Sequence, residues 1–349
     1  MIPYILLFLY FAIGALVEHD QGFRPRRPFF LILGAFIIAA MIGFRYKVGA
    51  DWNTYRQIFA YSRLVSASQM VSSLGDPAYA LLTWAVSHLH GRIWEVNLVC
   101  GAIFAWGLQR FARAQANPWL AMVMGIPYLV VVVAMGYSRQ AVAIGILLAG
   151  LASVLRGGST LRFAGYVAAA ALFHKTAVML LPLVAFAQQR NRTVNLLVGV
   201  AVTTLFYDMF LSESMNLLYR TYIGTEYSSQ GAAQRVLLNV IPAILYLINR
   251  RNFNFSEVES KIWFYFSGAA LFFLLLLIII PSSTAVDRMG LYIIPIQMAV
   301  WSRVNSAYNL QAFGRFVVVG LAAVILFTWL IFAVHAKYWV PYQFYPVFA

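Results

Sequence analysis

The sequence predicts an all-α, polytopic integral membrane protein, with roughly eleven to thirteen transmembrane helices and a polar cavity open to the outer side of the membrane. Of its 349 residues, 62% are hydrophobic and only 10% are charged, whereas about a quarter of the residues of a typical soluble domain are charged. The apolar residues also form long blocks between short polar breaks. These observations exclude a soluble enzyme, a disulfide scaffold and a disordered chain, and they predict one transmembrane domain over residues 1–349.

The charge balance indicates membrane topology rather than a polyanionic partner. The chain has 25 Lys and Arg residues against 11 Asp and Glu, a formal net charge of +14. In a membrane protein such an excess holds loops on the cytoplasmic side and favours anionic lipid, so we expect no nucleic acid partner. The first 17 residues are apolar and start without basic residues, which predicts a retained helix rather than a signal peptide.

Apolar blocks predict the spans. A helix needs ~20 residues to cross ~30 Å of hydrocarbon, and several blocks are shorter than that. One or two of these short blocks could be half-crossings or re-entrant segments. The two short blocks around His174 could alternatively form one long helix, which would leave eleven spans and invert the topology after it. The candidate spans lie near residues 2–17, 28–43, 93–109, 118–135, 140–155, 161–174, 176–188, 193–210, 235–249, 261–281, 287–303 and 314–335.

Basic residues in alternate breaks predict the orientation, because short cytoplasmic loops are rich in Lys and Arg. We expect both termini on the outer side, with two long outer segments over residues 44–92 and 211–234. The breaks that we expect on the cytoplasmic side hold Arg24, Arg26, Arg27, Arg110, Arg113, Arg156, Arg162, Arg190, Arg192, Arg250, Arg251, Lys261, Arg303 and Arg315.

Two further outer elements follow from composition. Residues 76–90 have apolar side chains at helical spacing but form a short segment with two His, which predicts a helix lying in the outer interface. Residues 336–349 are rich in Trp, Tyr and Phe and contain two prolines. Such aromatics favour the boundary between membrane and water, so we expect a non-helical tail along the outer face.

Four polar clusters fall on the outer side, within residues 43–52, 136–140, 173–176 and 287–290. A charged side chain near hydrocarbon costs roughly 2.5–3.5 kcal/mol on insertion scales, so it normally faces a cavity or a partner and is a functional candidate. The candidate residues in the four clusters are Arg45, Lys47, Asp51, Trp52, Tyr137, Arg139, Gln140, His174, Lys175, Thr176, Asp287 and Arg288.

Together these side chains suit a diphosphate. Guanidinium groups bind phosphate oxygens bidentately, and a lipid-linked pyrophosphate is an anion presented at the membrane surface. His174 could take a proton from an attacking hydroxyl, because imidazole titrates near neutral pH. Asp51 or Asp287 could do the same or orient an arginine.

Each candidate also has a structural alternative. Basic side chains at a helix end often extend to the interface, which would explain Arg45, Lys47 and Arg139. His174 could be a hydrogen-bonded core histidine.

The acidic candidates have alternatives of their own. Asp51 could cap a helix that begins at Trp52, and Asp287 with Arg288 could form a local ion pair at a helix start. Only the shared depth of the four clusters favours function.

Motifs for nucleotide or metal chemistry are absent from the sequence. It contains no P-loop, no GxGxxG, no HExxH and no metal-spaced Cys or His set. No acidic pair lies in the middle of a span as in a proton relay, since Asp208 and Glu213 fall at the outer end of their helix. We therefore expect no cofactor and no metal, and a donor whose energy is already stored in a lipid linkage.

Within these clusters the sequence resembles the EpsG family of polysaccharide polymerases, which is related in role to the Wzy O-antigen polymerases. The resemblance lies in GFRYKVGADWNTY after the second helix, YSRQAVAIGI at a helix start, FHKTA between apolar segments, the late DRMGLY and the aromatic WVPY end. The positions that match are Arg45, Asp51, Arg139, Gln140, His174, Thr176, Asp287 and Arg288.

The resemblance implies a multi-pass enzyme of the bacterial inner membrane whose active site faces the periplasm. Its donor and acceptor would be oligosaccharide repeat units on undecaprenyl pyrophosphate, joined by metal-independent displacement at the anomeric carbon. Arg139 and Arg288, with Arg45, would hold the pyrophosphate, and His174 or Asp51 would be the base. A chain-length regulator is a further candidate partner, beside membrane lipid.

Sugar binding and the competing functions complete the prediction. Aromatic rings stack on sugars, which makes Trp52, Tyr55, Tyr137 and residues 221–230 candidates, although interfacial aromatics have the same composition. The alternatives are a flippase for lipid-linked oligosaccharide, a ligase that moves finished polymer to another lipid, and an acyltransferase. A flippase would usually show an internal repeat and charges at mid-depth, and neither occurs in the sequence.

Overall fold

The computed structural model describes residues 1–17, 28–188, 231–279 and 283–348, together with the single positions 197 and 204. In these ranges the chain is overwhelmingly helical, which confirms the all-α class. The one sheet among the described residues joins two-residue strands, β1 (Arg45–Tyr46) and β2 (Gln343–Phe344), in antiparallel pairing. Several predicted features lie outside the described residues: the span 193–210, the outer segment up to residue 230, and the basic residues 24–27, 190 and 192.

The first half of the chain contains ten α-helices within the described ranges. A π-helix (Ile126–Ala134) continues α7, and a 3₁₀-helix (Lys175–Leu180) precedes α10. The α-helices are α1 (Ile2–Val17), α2 (Pro28–Gly43), α3 (Trp52–Ser62), α4 (Ala67–Leu74), α5 (Pro77–His88), α6 (Ile93–Ala112), α7 (Pro118–Gly125), α8 (Ser138–Leu155), α9 (Thr160–Ala171) and α10 (Leu181–Gln188).

The second half continues the helical pattern, with 3₁₀ segments at Arg250–Phe253, Leu291–Ile293 and Val334–Tyr338. Its α-helices are α11 (Ala232–Ile248), α12 (Glu257–Ile279), α13 (Ser283–Gly290), α14 (Pro295–Trp301), α15 (Val304–Ala307), α16 (Gln311–Phe332) and α17 (Tyr345–Phe348).

Three of these helices, α8, α12 and α16, are long and apolar enough to cross a membrane. Five further apolar segments are shorter, among them α1, α2 and α11. The segments around His174 are two helices: α9 ends at Ala171, the chain turns through residues 172–174, and α10 packs back against α9. The single continuous helix is therefore wrong.

Helices α6 and α8 pack closely, because glycines line their contact. A Cβ added at Gly107 would lie 1.8 Å from the carbonyl oxygen of Gly145, and one added at Gly145 would lie 2.6 Å from Cα of Phe104. Small residues of this kind let two membrane helices approach at backbone distance. The approach sets the position of α8, whose first residues lie in the candidate site.

Gly107→Ala is expected to lower the free energy of unfolding by about 1–3 kcal/mol. The added methyl group would meet backbone atoms of α8, which cannot move aside as a side chain can. The measurement is the melting temperature of the purified protein in detergent. Gly165→Ala in α9 is the matched control, since an added Cβ there meets no atom of the described residues within 4 Å. A Gly107→Ala variant that melts with the control would contradict the tight packing.

The π-helix between α7 and α8 is held by side chains from distant parts of the chain. Pro127 has no N–H to donate, so the α-helical hydrogen-bond pattern is interrupted there. The indole N–H of Trp339 donates to the carbonyl of Val131 at 2.7 Å, and Nη1 of Arg45 donates to the carbonyl of Ala134 at 3.3 Å. These contacts fix the turn from which α8 begins.

The aromatic tail is the partner of this turn and is not simply a surface segment. Trp339 is 1% exposed, and its carbonyl accepts a hydrogen bond from the Tyr4 hydroxyl at 2.7 Å. The tail also contains short helical turns and strand β2. The prediction of a non-helical tail is wrong for Tyr345–Phe348, which form α17, because Pro346 falls in the first turn, where a helix tolerates proline. That the tail lies along the outer face stays a prediction.

The two ends of α6 and α8 differ in charge. At one end Arg110 and Arg113 lie near Arg156, whose pKa is lowered by partial desolvation and by those two cations. These residues belong to the breaks predicted as cytoplasmic. At the other end Asn97 of α6 and Ser138 of α8 both contact Arg45. The predicted outer clusters therefore gather at the end opposite these three cations.

Candidate active site

Residues from all four polar clusters meet at this end of the bundle. The amide nitrogen of Gln140 donates to the carbonyl of Arg288 at 2.7 Å, although 148 residues separate them. The guanidinium of Arg288 lies 4.0 Å from the ring centre of Tyr137. The Thr176 hydroxyl lies 2.8 Å from the hydroxyl of Tyr292, just after α13. The shared depth inferred from the sequence corresponds to real proximity.

Arg45 is buried beneath the others. It is 1% exposed, so extension to the interface is the wrong explanation for this residue. Its guanidinium donates to Ser138 Oγ at 2.7 Å and to Asn97 Oδ1 at 3.4 Å, in addition to the carbonyls of Ile42 and Ala134. Burial lowers the pKa of Arg45. Its hydrogen bonds hold protein atoms together under the site.

The loop after Arg45 is shaped by backbone geometry. Lys47 is exposed, has a positive φ of 51°, and extends over the ring of its neighbour Tyr46. Gly49 has φ of 103°, its N–H donates to the carbonyl of Tyr338, and a Cβ there would lie 2.5 Å from the carbonyl oxygen of Met135. This close approach places Asp51 beside the start of α8.

Asp51 carries a carboxylate that faces the arginines. It occupies the N-cap position of α3 but makes no capping hydrogen bond with its side chain, so capping does not explain it. Burial raises the pKa of Asp51, and the positive charges of Arg288, Arg139 and Arg45, in that order, act against the rise. Trp52, the next residue, is only 5% exposed and packs on Tyr46.

Asp51→Asn is expected to raise the melting temperature near neutral pH. Because folding raises the pKa of this carboxyl, the folded state gains stability as pH falls through that pKa, and holding the ionised form is unfavourable above it. The advantage of the variant should be largest at pH ~7 and shrink toward pH ~4. Glu257→Gln, at a side chain that is 77% exposed, is the control. A lower melting temperature for Asp51→Asn at neutral pH would show net stabilisation of the carboxylate by the arginines.

A second carboxylate, Asp76, joins two of the predicted residues. Its Oδ2 accepts a hydrogen bond from Nη1 of Arg139 at 2.7 Å and lies 3.8 Å from Nδ1 of His174. The Tyr55 hydroxyl lies beside the same arginine. Arg139 is thus paired inside the site and does not simply extend to the interface. Asp76 was not among the predicted site residues.

A second ion pair forms the opposite side of the site. Arg235, at the start of α11, makes a bidentate contact with Asp287, at 2.5 Å from Nε and 2.8 Å from Nη2. Asp287 lies in the last turn of α13 and is 8% exposed. The local pair of Asp287 with Arg288 is therefore the wrong interpretation, and the sequence did not point to Arg235.

A polar network continues behind this pair. Asn239 donates to the carbonyl of Gly290 at 2.9 Å and accepts from Gln297 at 2.7 Å. It lines, with Tyr128 and the Arg235–Asp287 pair, a crevice that is too narrow to hold a water molecule. In an apolar bundle such linked polar groups hold one another in place, because none can turn to water. They fix α13 and, with it, the backbone of Arg288.

His174 and Lys175 lie where α9 turns into the next helix. His174 has an extended backbone, and its Nδ1 is buried with no hydrogen-bond partner in the described part of the chain. The interpretation of His174 as a hydrogen-bonded core histidine is therefore wrong for Nδ1. Lys175 is exposed, and its Nζ lies 3.5 Å from the Cβ position of Gly75, beside Asp76. Arg139, Arg288 and His174 thus lie at the same end of the bundle, and their use as an anion site with a proton acceptor stays a prediction.

Comparison with known proteins gives one match. A family model described as the EpsG family matches residues 29–344, which includes every cluster of the candidate site. No curated protein and no solved structure matches the chain.

Proposed function

We infer the function from the premise that the chain belongs to the EpsG family, a family of Wzy-like polysaccharide polymerases. We propose that it joins oligosaccharide repeat units carried on undecaprenyl pyrophosphate, at the periplasmic face of the bacterial inner membrane. The bundle would have roughly eleven to thirteen spans, and the candidate site would open toward that face.

One observation carries the proposal: Arg139, His174, Asp51 and Arg288 meet at one end of the bundle although they come from distant segments. The positive charges of Arg288 and Arg139 both act to lower the pKa of Asp51, against the rise that burial causes. Two arginines at the same end of the bundle suit the two phosphates of a pyrophosphate, and a base at that end suits an attacking hydroxyl. The end that holds these groups is opposite the basic breaks, as the positive-inside rule requires of a periplasmic site.

We assign the leaving group to Arg139 and Arg288. As the bond between the anomeric carbon and the pyrophosphate oxygen breaks, negative charge grows on that oxygen. Two guanidinium groups fixed in advance stabilise this charge without solvent reorganisation, and they supply the neutralisation that a metal ion would otherwise provide. Arg45, which is buried below them, positions Ser138 and the turn into α8 and does not reach the substrate.

We assign the general base to His174. Its imidazole lies beside Asp76 and Arg139, and its side chain is 28% exposed, so an acceptor hydroxyl can reach it. Asp51 is the alternative base, since its carboxylate makes no capping contact and is half-buried. Lys175, Thr176 and Gln140 would line the acceptor side, and Lys47 would lie at the rim.

For the sugar we propose Tyr137 rather than Trp52 or Tyr55. Tyr137 is partly exposed and stacks with Arg288, whereas Trp52 and Tyr55 are 5% and 4% exposed and pack in the core. A ring that already faces the proposed pyrophosphate site is placed to contact the first sugar of the donor.

The experiment is complementation of a strain that lacks this protein. Wild type should restore long polymer, and His174→Ala, with its level in the membrane confirmed, should leave single lipid-linked repeat units exposed on the outer face. His88→Ala is the matched control, because His88 is exposed at the end of α5 and should support normal polymer.

Two other outcomes would replace the proposal. Units that accumulate on the cytoplasmic side would indicate a flippase. Normal free polymer that fails to reach a second lipid would indicate a ligase.

A further inference from the structure

Asp76 has an unusual place for a carboxylate. It lies at the N-cap of α5, where an aspartate ordinarily accepts a hydrogen bond from the first turn, yet its side chain makes no capping contact. It is 5% exposed. Because the carboxylate does not bond to the N–H groups of its own helix, its burial requires polar partners from elsewhere in the fold.

Two side chains, Arg139 and His174, approach the same oxygen of Asp76. Oδ2 of Asp76 is 2.7 Å from Nη1 of Arg139 and 3.8 Å from Nδ1 of His174. The first distance is a charge-assisted hydrogen bond, and the second is too long for one. Nδ1 of His174 is buried and has no hydrogen-bond partner among the residues that the structure describes. Such a nitrogen is costly unless another state of the site satisfies it.

The backbone keeps Asp76 and His174 together. The N–H of Ala78 donates to the carbonyl of Leu172 at 2.9 Å, which ties the start of α5 to the turn before His174. Arg139 comes from α8, and its side chain is 29% exposed. A ligand can therefore draw the long arginine side chain away, while the carboxylate and the imidazole stay within a small side-chain rotation of contact.

We propose that Asp76 is a positioning residue for His174, and that the donor pyrophosphate releases it by taking Arg139. This inference rests on the proposed function. In the free protein the Asp76 carboxylate bonds to Arg139. When the phosphate oxygens of the donor bind Arg139 instead, Oδ2 of Asp76 accepts a hydrogen bond from the Nδ1–H of His174, which leaves the lone pair of the imidazole on Nε2. His174 is therefore oriented as a base only when a donor is bound.

The chemistry balances within the site. The acceptor hydroxyl loses its proton to Nε2 of His174 while its oxygen forms a bond to the anomeric carbon of the donor. The bond from that carbon to the pyrophosphate oxygen breaks, and its electron pair leaves with the lipid pyrophosphate. The carboxylate of Asp76 stabilises the imidazolium, which then returns its proton to the released pyrophosphate or to water. Polar groups near His174 also include Lys175, beside Gly75, and the hydroxyls of Thr176 and Tyr292.

The test is Asp76→Asn in the purified full-length protein in nanodiscs, with lipid-linked repeat units extracted from a strain that lacks the protein. We expect kcat to fall ~100-fold or more, as for loss of an effective general base. We expect KM for the donor to fall several-fold, because no carboxylate competes for Arg139. Farnesyl diphosphate, used as a binding probe, should bind several-fold more tightly. A role in folding alone, or in aiming Arg139, would raise KM and weaken the probe.

A double-mutant comparison separates this inference from the proposed function. If Asp76 acts through His174, then Asp76→Asn should cost little further activity in a His174→Ala background. Full additivity in that background, or weaker farnesyl diphosphate binding by Asp76→Asn, would overturn the role of Asp76 and leave the polymerase standing. Normal polymer from His174→Ala would instead overturn the base assignment. If Asp76→Asn does not fold, Asp76→Ser, whose hydroxyl can cap α5, replaces it with the same expectations.

Discussion

Arg139→Lys should reduce the rate of chain extension ~100- to 1000-fold, the loss typical of one preorganised donor to a developing anion, while the protein still inserts and folds. Lysine keeps the charge and can still pair with Asp76, so the fold is preserved. It lacks the planar fork that grips two phosphate oxygens at once. The measurement is polymer length and initial rate with lipid-linked repeat units, beside the melting temperature.

The matched control for this substitution is Arg156→Lys. Arg156 lies at the opposite end of α8 and is exposed, so the same chemical change there should leave extension unchanged. Normal polymer from Arg139→Lys would remove Arg139 from the leaving-group site. A loss shared by both variants would point to a general effect of the replacement on insertion.

Arg288→Gln should cause a loss of similar size with even less effect on stability. Asp287 bonds to Arg235, so removing the Arg288 guanidinium does not leave that carboxylate without its partner. The charge lies 4.0 Å from the ring of Tyr137 and acts on Asp51. Its loss removes stabilisation of the leaving group, and polymer length with the initial rate is again the measurement.

Arg113→Gln is the control for Arg288→Gln, since Arg113 is exposed at the far end of α6. A variant of Arg288 that extends polymer at the wild-type rate would leave Arg139 alone with the pyrophosphate.

Arg235→Gln removes the bidentate contact that Arg235 makes with the buried Asp287. We expect this substitution to lower the free energy of unfolding by about 3–5 kcal/mol, which the melting temperature in detergent would show.

The helices were largely predictable from apolar blocks. The first two candidate spans, 2–17 and 28–43, coincide with α1 and α2, because a long apolar block in a membrane protein has no stable alternative to a helix. The π-helix after α7 was not predictable. Its wider turn depends on Trp339 and Arg45, which reach it from elsewhere in the chain.

Of the residues that the structure brings together at the candidate site, the sequence predicted Arg45, Arg139 and Arg288 but neither Asp76 nor Arg235. Asp76 precedes a proline at the start of a helix, which is the pattern of an ordinary cap, and only the fold shows it beside Arg139. Arg235 begins an apolar block and has the sequence context of a flanking charge. Arg45 has that context too, yet it points inward, because burial depends on Asn97 and Ser138, which are distant in sequence.

The tail around Trp339 has a consequence for the timing of assembly. The indole N–H of Trp339 donates to the π-helix, and the carbonyl of Trp339 accepts a hydrogen bond from the Tyr4 hydroxyl of α1. The carbonyl of Tyr338 accepts a hydrogen bond from the N–H of Gly49. The indole of Trp339 lies 208 residues beyond Val131 in the chain, so during synthesis the turn that carries Arg139 forms long before its support. In a chain cut before residue 338 these contacts would be missing, and we expect the turn to be less firmly held.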